Sequence, residues 1–164
     1  CYIMPFIFMT GNAISQSAQP IISYNHGAGK RSRVVEARKV ALITAIGAGI
    51  LLSSALAFGV KYVAALFLST DANGYRIASA GMPLMATGFV FYIVNVTVIG
   101  YYQSIERIIP ATICSLARGL IFLVPAFIVM PHIAGTPGIW LALPVSEALT
   151  FILIAIGRLF RRKK

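Results

Sequence analysis

The chain has 164 residues, of which 59% are hydrophobic and only 11% charged, against about 25% charged in an ordinary soluble domain. A soluble fold of this length has too little interior to hide so much apolar side chain, whereas a bilayer is itself an apolar solvent. The net charge of +10 does not indicate nucleic acid, because the 14 Lys and Arg residues form no stripe with interleaved aromatics and instead cluster between long apolar runs.

An all-α, polytopic membrane helix bundle is therefore expected, as a single unit over 1–164. Five segments are long enough to cross at about 20 residues per crossing: 2–24, 40–68, 81–102, 108–130 and 138–159, followed by a basic tail over 160–164. Cys1 to Met9 is apolar from its first residue and shows neither the charged start nor the cleavage site of a signal peptide. The chain is expected to enter a membrane helix partway and to be part of a longer protein. Cys1 and Cys114 fit no metal spacing and read as small packing residues.

The first span carries Asn12, Gln16, Gln19 and Ser23 on one helical stripe. Amides facing lipid would forfeit hydrogen bonds at about 1–3 kcal/mol each, so the stripe is expected to line a wet cavity or to bind a partner helix. Pro20 frees the Gln16 carbonyl beside it. In the second span Ala41, Ala45, Gly49, Ser53 and Ala57 recur every four residues, a small-residue face for close helix packing. Asp71, Asn73 and Gly74 mark the turn that follows.

The third span has no charge, and its Tyr92 and Asn95 share a face near mid-membrane. The fourth and fifth spans form a hairpin and hold the two costly residues. Arg118 lies about 15 Å from the inner end of its span and Glu147 about 16 Å from Arg158, at 1.5 Å per residue. Opposite charges at matched depth on adjacent helices are a candidate pair, and buried ionisable groups in a membrane mark function by default. Paired with Arg118, Glu147 would hold its charge and anchor the hairpin; facing an apolar cavity, it could carry a proton. Pro20, Pro125 and Pro144 lie well inside spans and are expected to bend them.

Lys30, Arg31, Arg33, Arg38, Lys39, Arg107, Arg158, Arg161, Arg162, Lys163 and Lys164 fall on one side of this layout, against Lys61 and Arg76 on the other. The basic side is expected to be cytoplasmic, and the C-terminus with it.

The stretch from Ala18 to Lys30, AQPIISYNHGAGK, resembles a signature of the multidrug and toxic compound extrusion (MATE) family, nearest its bacterial multidrug-export branch. Tyr101-Tyr102-Gln103, Arg118 and Gly138-Ile139-Trp140 agree in layout, so the resemblance extends over the whole chain. It implies the eighth to twelfth helices of a twelve-helix transporter of the bacterial inner membrane. Such a protein exports cationic, amphipathic drugs against a proton or sodium gradient by rocking two lobes around a central site. The partners implied are membrane lipid, small-molecule drugs and the missing N-terminal lobe, with no cofactor besides the coupling ion, H+ or Na+. Some members carry coupling acids on the seventh and tenth helices. The span matching the tenth offers Asn95 and no acid, so that site does not transfer. The pathway candidates are Asn12, Gln16, Gln19, Tyr92, Asn95, Arg118 and Glu147.

A lipid or polysaccharide flippase of the same superfamily is the nearest alternative, and a non-transporting structural bundle is one of another class. An enzyme is not expected, because no nucleophile, base and orienter converge and His26 and His132 fall at opposite membrane ends.

Overall fold

In the computed structural model, residues 4–67 and 73–162 are described, with side chains for 4–65 and 73–158. Every element among them is helical. Helix α1 covers Met4–Gly27 and ends in a turn in which Gly29 takes φ +71° and the Lys30 amide donates to the Asn25 carbonyl at 2.9 Å. Glycine supplies the left-handed conformation that this stop needs. Helix α2, Arg31–Phe67, begins directly after it. The basic cluster expected in a loop is thus mostly helical: Arg31, Arg33, Arg38 and Lys39 lie in its first turns and the connection shrinks to 28–30.

The small-residue face of α2 is buried at Ala41, Ala45 and Gly49, and Ser53 donates to the Ala86 carbonyl at 2.7 Å. Ala57 is exposed, and Leu56, Val60 and Ala64 continue the buried face. The cause is the helical period: a step of four residues overshoots a full turn by about 40°, so four such steps turn the stripe out of the interface. A Cβ at Gly49 would lie 2.7 Å from Val90 Cα, so here the backbones of two helices meet.

The expected third span, 81–102, is instead a broken pair. Helix α3, Asn73–Ala86, and helix α4, Phe89–Ser104, meet at 45° across Thr87-Gly88. Thr87 Oγ1 turns back to the Leu84 carbonyl at 2.7 Å, and Gly88 lies against the Pro144 backbone, where a Cβ would be 2.8 Å from Pro144 Cα. Asp71, expected in the preceding turn, lies outside the described residues, whereas Asn73 and Gly74 open α3. Helix α4 is apolar nearly all round and sits at the centre, packed on α1, α2 and the last helix.

Helix α5, Ile108–Leu116, runs into a π segment, Ala117–Ile121, and then helix α6, Leu123–Ala134. The Phe122 amide donates to the Ala117 carbonyl, five residues back, at 2.8 Å. Pro125 offers no N–H to the Ile121 carbonyl and its ring would press on it. Widening the helix just before it lets α6 restart with Pro125 in its first turn. The bend expected at Pro125 thus takes the form of a π segment, while Pro20 and Pro144 sit inside continuous helices.

Helix α7, Thr136–Arg162, follows a tight reversal at Gly135 (φ +62°) and packs along α6, α3 and α4. Lys163 and Lys164 lie outside the described residues. Among the described residues, three stretches are long and apolar enough to cross a membrane: α2, α5 through α6, and α7; the bent α3–α4 pair makes a fourth. Helix α1, 24 residues long, carries the polar stripe that lowers its hydropathy.

Candidate functional site

Four of the candidate residues meet where α4, α7 and the π segment converge. Glu147, on α7, is 2% exposed. Arg118 donates from Nε to Glu147 Oε1 at 2.7 Å, as the matched depths anticipate. Asn95, on α4 and fully buried, donates from Nδ2 to both Glu147 Oε2 and the Glu147 carbonyl, each at 2.9 Å. Both are acceptors, which fixes the amide orientation: a flipped Asn95 would set oxygen against oxygen. Asn95 Oδ1 is left buried without a hydrogen-bond partner among the described residues. The carboxylate thus has one charged donor and one amide donor, which a buried anion needs to offset its lost hydration.

Tyr92 lies one turn from Asn95 on the same face of α4. The Arg118 guanidinium carbon sits 4.2 Å from its ring centroid, and Phe8 of α1 stacks on the ring at 4.9 Å and 24°. The π segment is what presents Arg118 here. Such bulges are frequent at functional sites because they shift the register of a side chain without ending the helix.

Beside this cluster opens a cavity of about 640 Å³ between α1, α4 and α5. Asn12, Gln16 and Gln19 of the α1 stripe line it with Tyr92, Gln103 and Arg118. The structure brings those candidates together, while Asn95 and Glu147 lie behind Arg118 and do not border it. Asn12 bonds the Phe8 carbonyl of its own helix at 2.8 Å, so its amide does not tie two helices together. Gln19 Nε2 donates to Gln103 Oε1 at 3.4 Å, and both side chains line the cavity. Ser23, one turn further along, does not line it. Ser15 and Ser115 do, and neither belongs to the stripe that helical spacing picks out. Ser15 packs onto Gly100, whose missing side chain admits its hydroxyl. A second groove of about 620 Å³ lies between α1 and α2, lined mainly by apolar side chains such as Ile14, Ile21 and Val40, and holds no buried charge.

Among the described residues, no group of His, Cys, Asp or Glu is assembled to hold a metal. His132 Nδ1 contacts the Ile128 carbonyl at 2.7 Å, and His26 closes α1. Cys114 is buried in the apolar core.

Comparison with known proteins agrees with this architecture. No curated protein sequence matches the chain. Among solved structures it is similar to the MATE multidrug transporter DinF-BH, determined with a ligand in complex, with 31% identity and a TM-score of 0.86. The similarity covers 97% of this chain and 35% of that one, so the chain spans about a third of that transporter's length. The sequence also matches the MatE family over residues 2–128. A polytopic helical bundle, a polar cavity with a buried ion pair at its wall, and a family match across most of its length place this chain in the MatE family of membrane transporters.

Proposed function

We propose that the chain is part of a secondary active multidrug efflux antiporter that exports cationic, amphipathic drugs in exchange for protons or sodium ions. The observation that carries this reading is the Glu147–Arg118 pair at the wall of a polar cavity. An acid held at this depth is costly, and transporters keep such residues where ions or substrates pass. The solved relative's description as a multidrug transporter supports the substrate class. In this reading the remaining helices come from the rest of a longer polypeptide, the basic loops and C-terminus face the cytoplasm, and the protein resides in a bacterial inner membrane. Helix α1 is then a fifth crossing, stabilised by turning its amides to the cavity.

The test is Glu147→Gln in the complete transporter, with dye efflux followed in vesicles under an imposed ion gradient at matched expression. Lost or gradient-independent transport is expected. Unchanged coupled transport would reduce Glu147 to a structural partner of Arg118.

One observation favours a second reading, a flippase for a lipid-linked saccharide. The cavity wall is rich in amides and hydroxyls, and Arg118 is its only charged residue among those described. Such a lining also suits a hydroxylated or anionic headgroup. Translocation of a lipid-linked oligosaccharide, but of no dye cation, in the same vesicles would select it.

A further inference from the structure

The groove between α1 and α2 runs along half the thickness of a bilayer. It starts beside the turn at 28–30, where Asn25, Arg33 and Glu36 border it, and extends to Ile14 and Thr44. Asn25 to Ile14 and Arg33 to Thr44 are each eleven residues, or about 16 Å along either helix at 1.5 Å per residue. Half of a hydrocarbon core is about 15 Å, so the groove covers one leaflet and stops near the bilayer centre.

Residue size makes the groove. Ala41 is buried and Ala18 and Ala37 are half-buried, so these small residues form its floor. Ile21 of α1 and Val40 of α2, 56% and 59% exposed, stand at its sides. A furrow of this kind, facing hydrocarbon, accepts a flexible acyl chain. Left void, its lining atoms would forfeit their dispersion contacts on one side.

The turn end of the groove carries one charge of each sign. Arg33 Nη1 lies 3.3 Å from Glu36 Oε2, one turn away on α2, and the side chains are 68% and 65% exposed. A pair this exposed is weak and leaves both partners able to take other ligands. Arg33 suits a phosphate, which a guanidinium meets with paired N–H donors. Glu36 can accept from a primary ammonium. Asn25 adds its Oδ1 as a second acceptor, because its Nδ2 is spent on the Ile21 carbonyl at 2.8 Å. A purely anionic headgroup would set its charge against Glu36. Lys30, Arg31 and Lys39 attract anionic lipid to this end in general, but they do not line the groove.

We propose that the α1–α2 groove binds one zwitterionic phospholipid with a primary ammonium headgroup, its phosphate on Arg33, its ammonium on Glu36 and Asn25, and an acyl chain along the alanine floor. No residue lines both this groove and the polar cavity, so the lipid site is separate from the cavity and does not depend on what the protein transports.

The experiment titrates the complete, delipidated transporter in detergent with phosphatidylethanolamine or phosphatidylglycerol of identical acyl chains, and reads binding by native mass spectrometry. The unaltered protein is expected to prefer phosphatidylethanolamine by about fivefold, the most that an exposed ion pair supplies. Glu36→Gln should abolish the preference by weakening phosphatidylethanolamine alone, whereas Arg33→Gln should weaken both lipids. Ser17 is exposed and lines the groove, so Ser17→Leu should weaken both by obstructing the chain. Equal affinity for the two lipids in the unaltered protein, or a preference that survives Glu36→Gln, overturns the headgroup assignment. Lipid binding indifferent to Ser17→Leu overturns the groove as the seat of the chain. Were another segment of the transporter or a transported cation seated there, Ser17→Leu would lower thermal stability or dye binding and leave both lipids unchanged, which also overturns the proposal. Should Ser17→Leu fail to fold, the two headgroup variants decide, since both lie at exposed positions in the first turns of α2.

Discussion

Glu147 is the residue whose surroundings matter most, since it is a nearly fully buried carboxylate whose charged partner can be removed by one substitution. Breaking one side of a buried pair leaves the other charge uncompensated, which costs about 3–5 kcal/mol. Arg118→Ala should therefore destabilise the protein by that order, and Arg118→Ala with Glu147→Gln should recover most of the loss, because a neutral amide can still accept from Asn95. Thermal unfolding in detergent, read for both single variants and the double, checks this. A double variant no more stable than Arg118→Ala would mean that the pair is not what holds the hairpin. The Arg118–Glu147 contact was legible in the sequence, because charge is expensive in a membrane and depth can be counted along a helix. The Asn95 and Phe8 contacts were not. Spacing along α4 puts Tyr92 and Asn95 on one face, but which helix that face meets is a tertiary fact. From the sequence, Asn95 is a pathway candidate sharing a face with Tyr92 and has no assigned partner, and Phe8 is one residue of the apolar run that opens the chain.

Between elements, the same contrast separates what intrahelical periodicity encodes from what it does not. The small residues of α2 announced a close approach, and Gly49 meets the Val90 backbone there, whereas a Cβ at Gly47, two residues earlier, would meet nothing within 4 Å. Gly49→Leu should destabilise the bundle by about 1–3 kcal/mol through overpacking. Gly47→Leu, on the open side, should be neutral or slightly stabilising, since it removes a helix glycine without a clash. Parallel unfolding of the two variants checks the pair, and equal effects would mean that α2 and α4 are not in backbone contact. Two breaks in the helices carried weaker signals. At Thr87-Gly88 a small flexible pair sits among apolar residues and reads as more membrane helix. It is the Pro144 backbone, fifty-odd residues away by sequence, that occupies the space at Gly88. At Ala117–Ile121 the signal was Pro125, which predicts a disturbance four residues upstream but not that the helix widens rather than kinks.

For the molecule as a whole, composition settles that the helices are solvated by lipid, and the many large apolar side chains left on the surface, such as Phe58, Ile109 and Ile133, agree with that. Which ends lie together is visible in cross-helix contacts. Gln19 of α1 reaches Gln103 of α4, and Arg38 of α2 lies over the Tyr101 ring at 5.2 Å, so the α1–α2 and α4–α5 turns share one end of the bundle. At the other end Gly81 of α3 packs on Trp140 of α7, near the α6–α7 turn. The first end carries the basic cluster, and Lys and Arg near the ends of spans are retained on the cytoplasmic side. Single cysteines at Ala28, Glu106 and Thr136, each exposed and close to a turn, can report this in the complete transporter. With a membrane-impermeant maleimide applied to intact cells, Thr136→Cys should label, while Ala28→Cys and Glu106→Cys should label only after the membrane is opened. The mirrored pattern would reverse the orientation while keeping the five crossings. Labelling of Ala28→Cys and Glu106→Cys from opposite sides would be incompatible with the shared end, and α1 could then no longer be a crossing helix that turns its amides to the cavity.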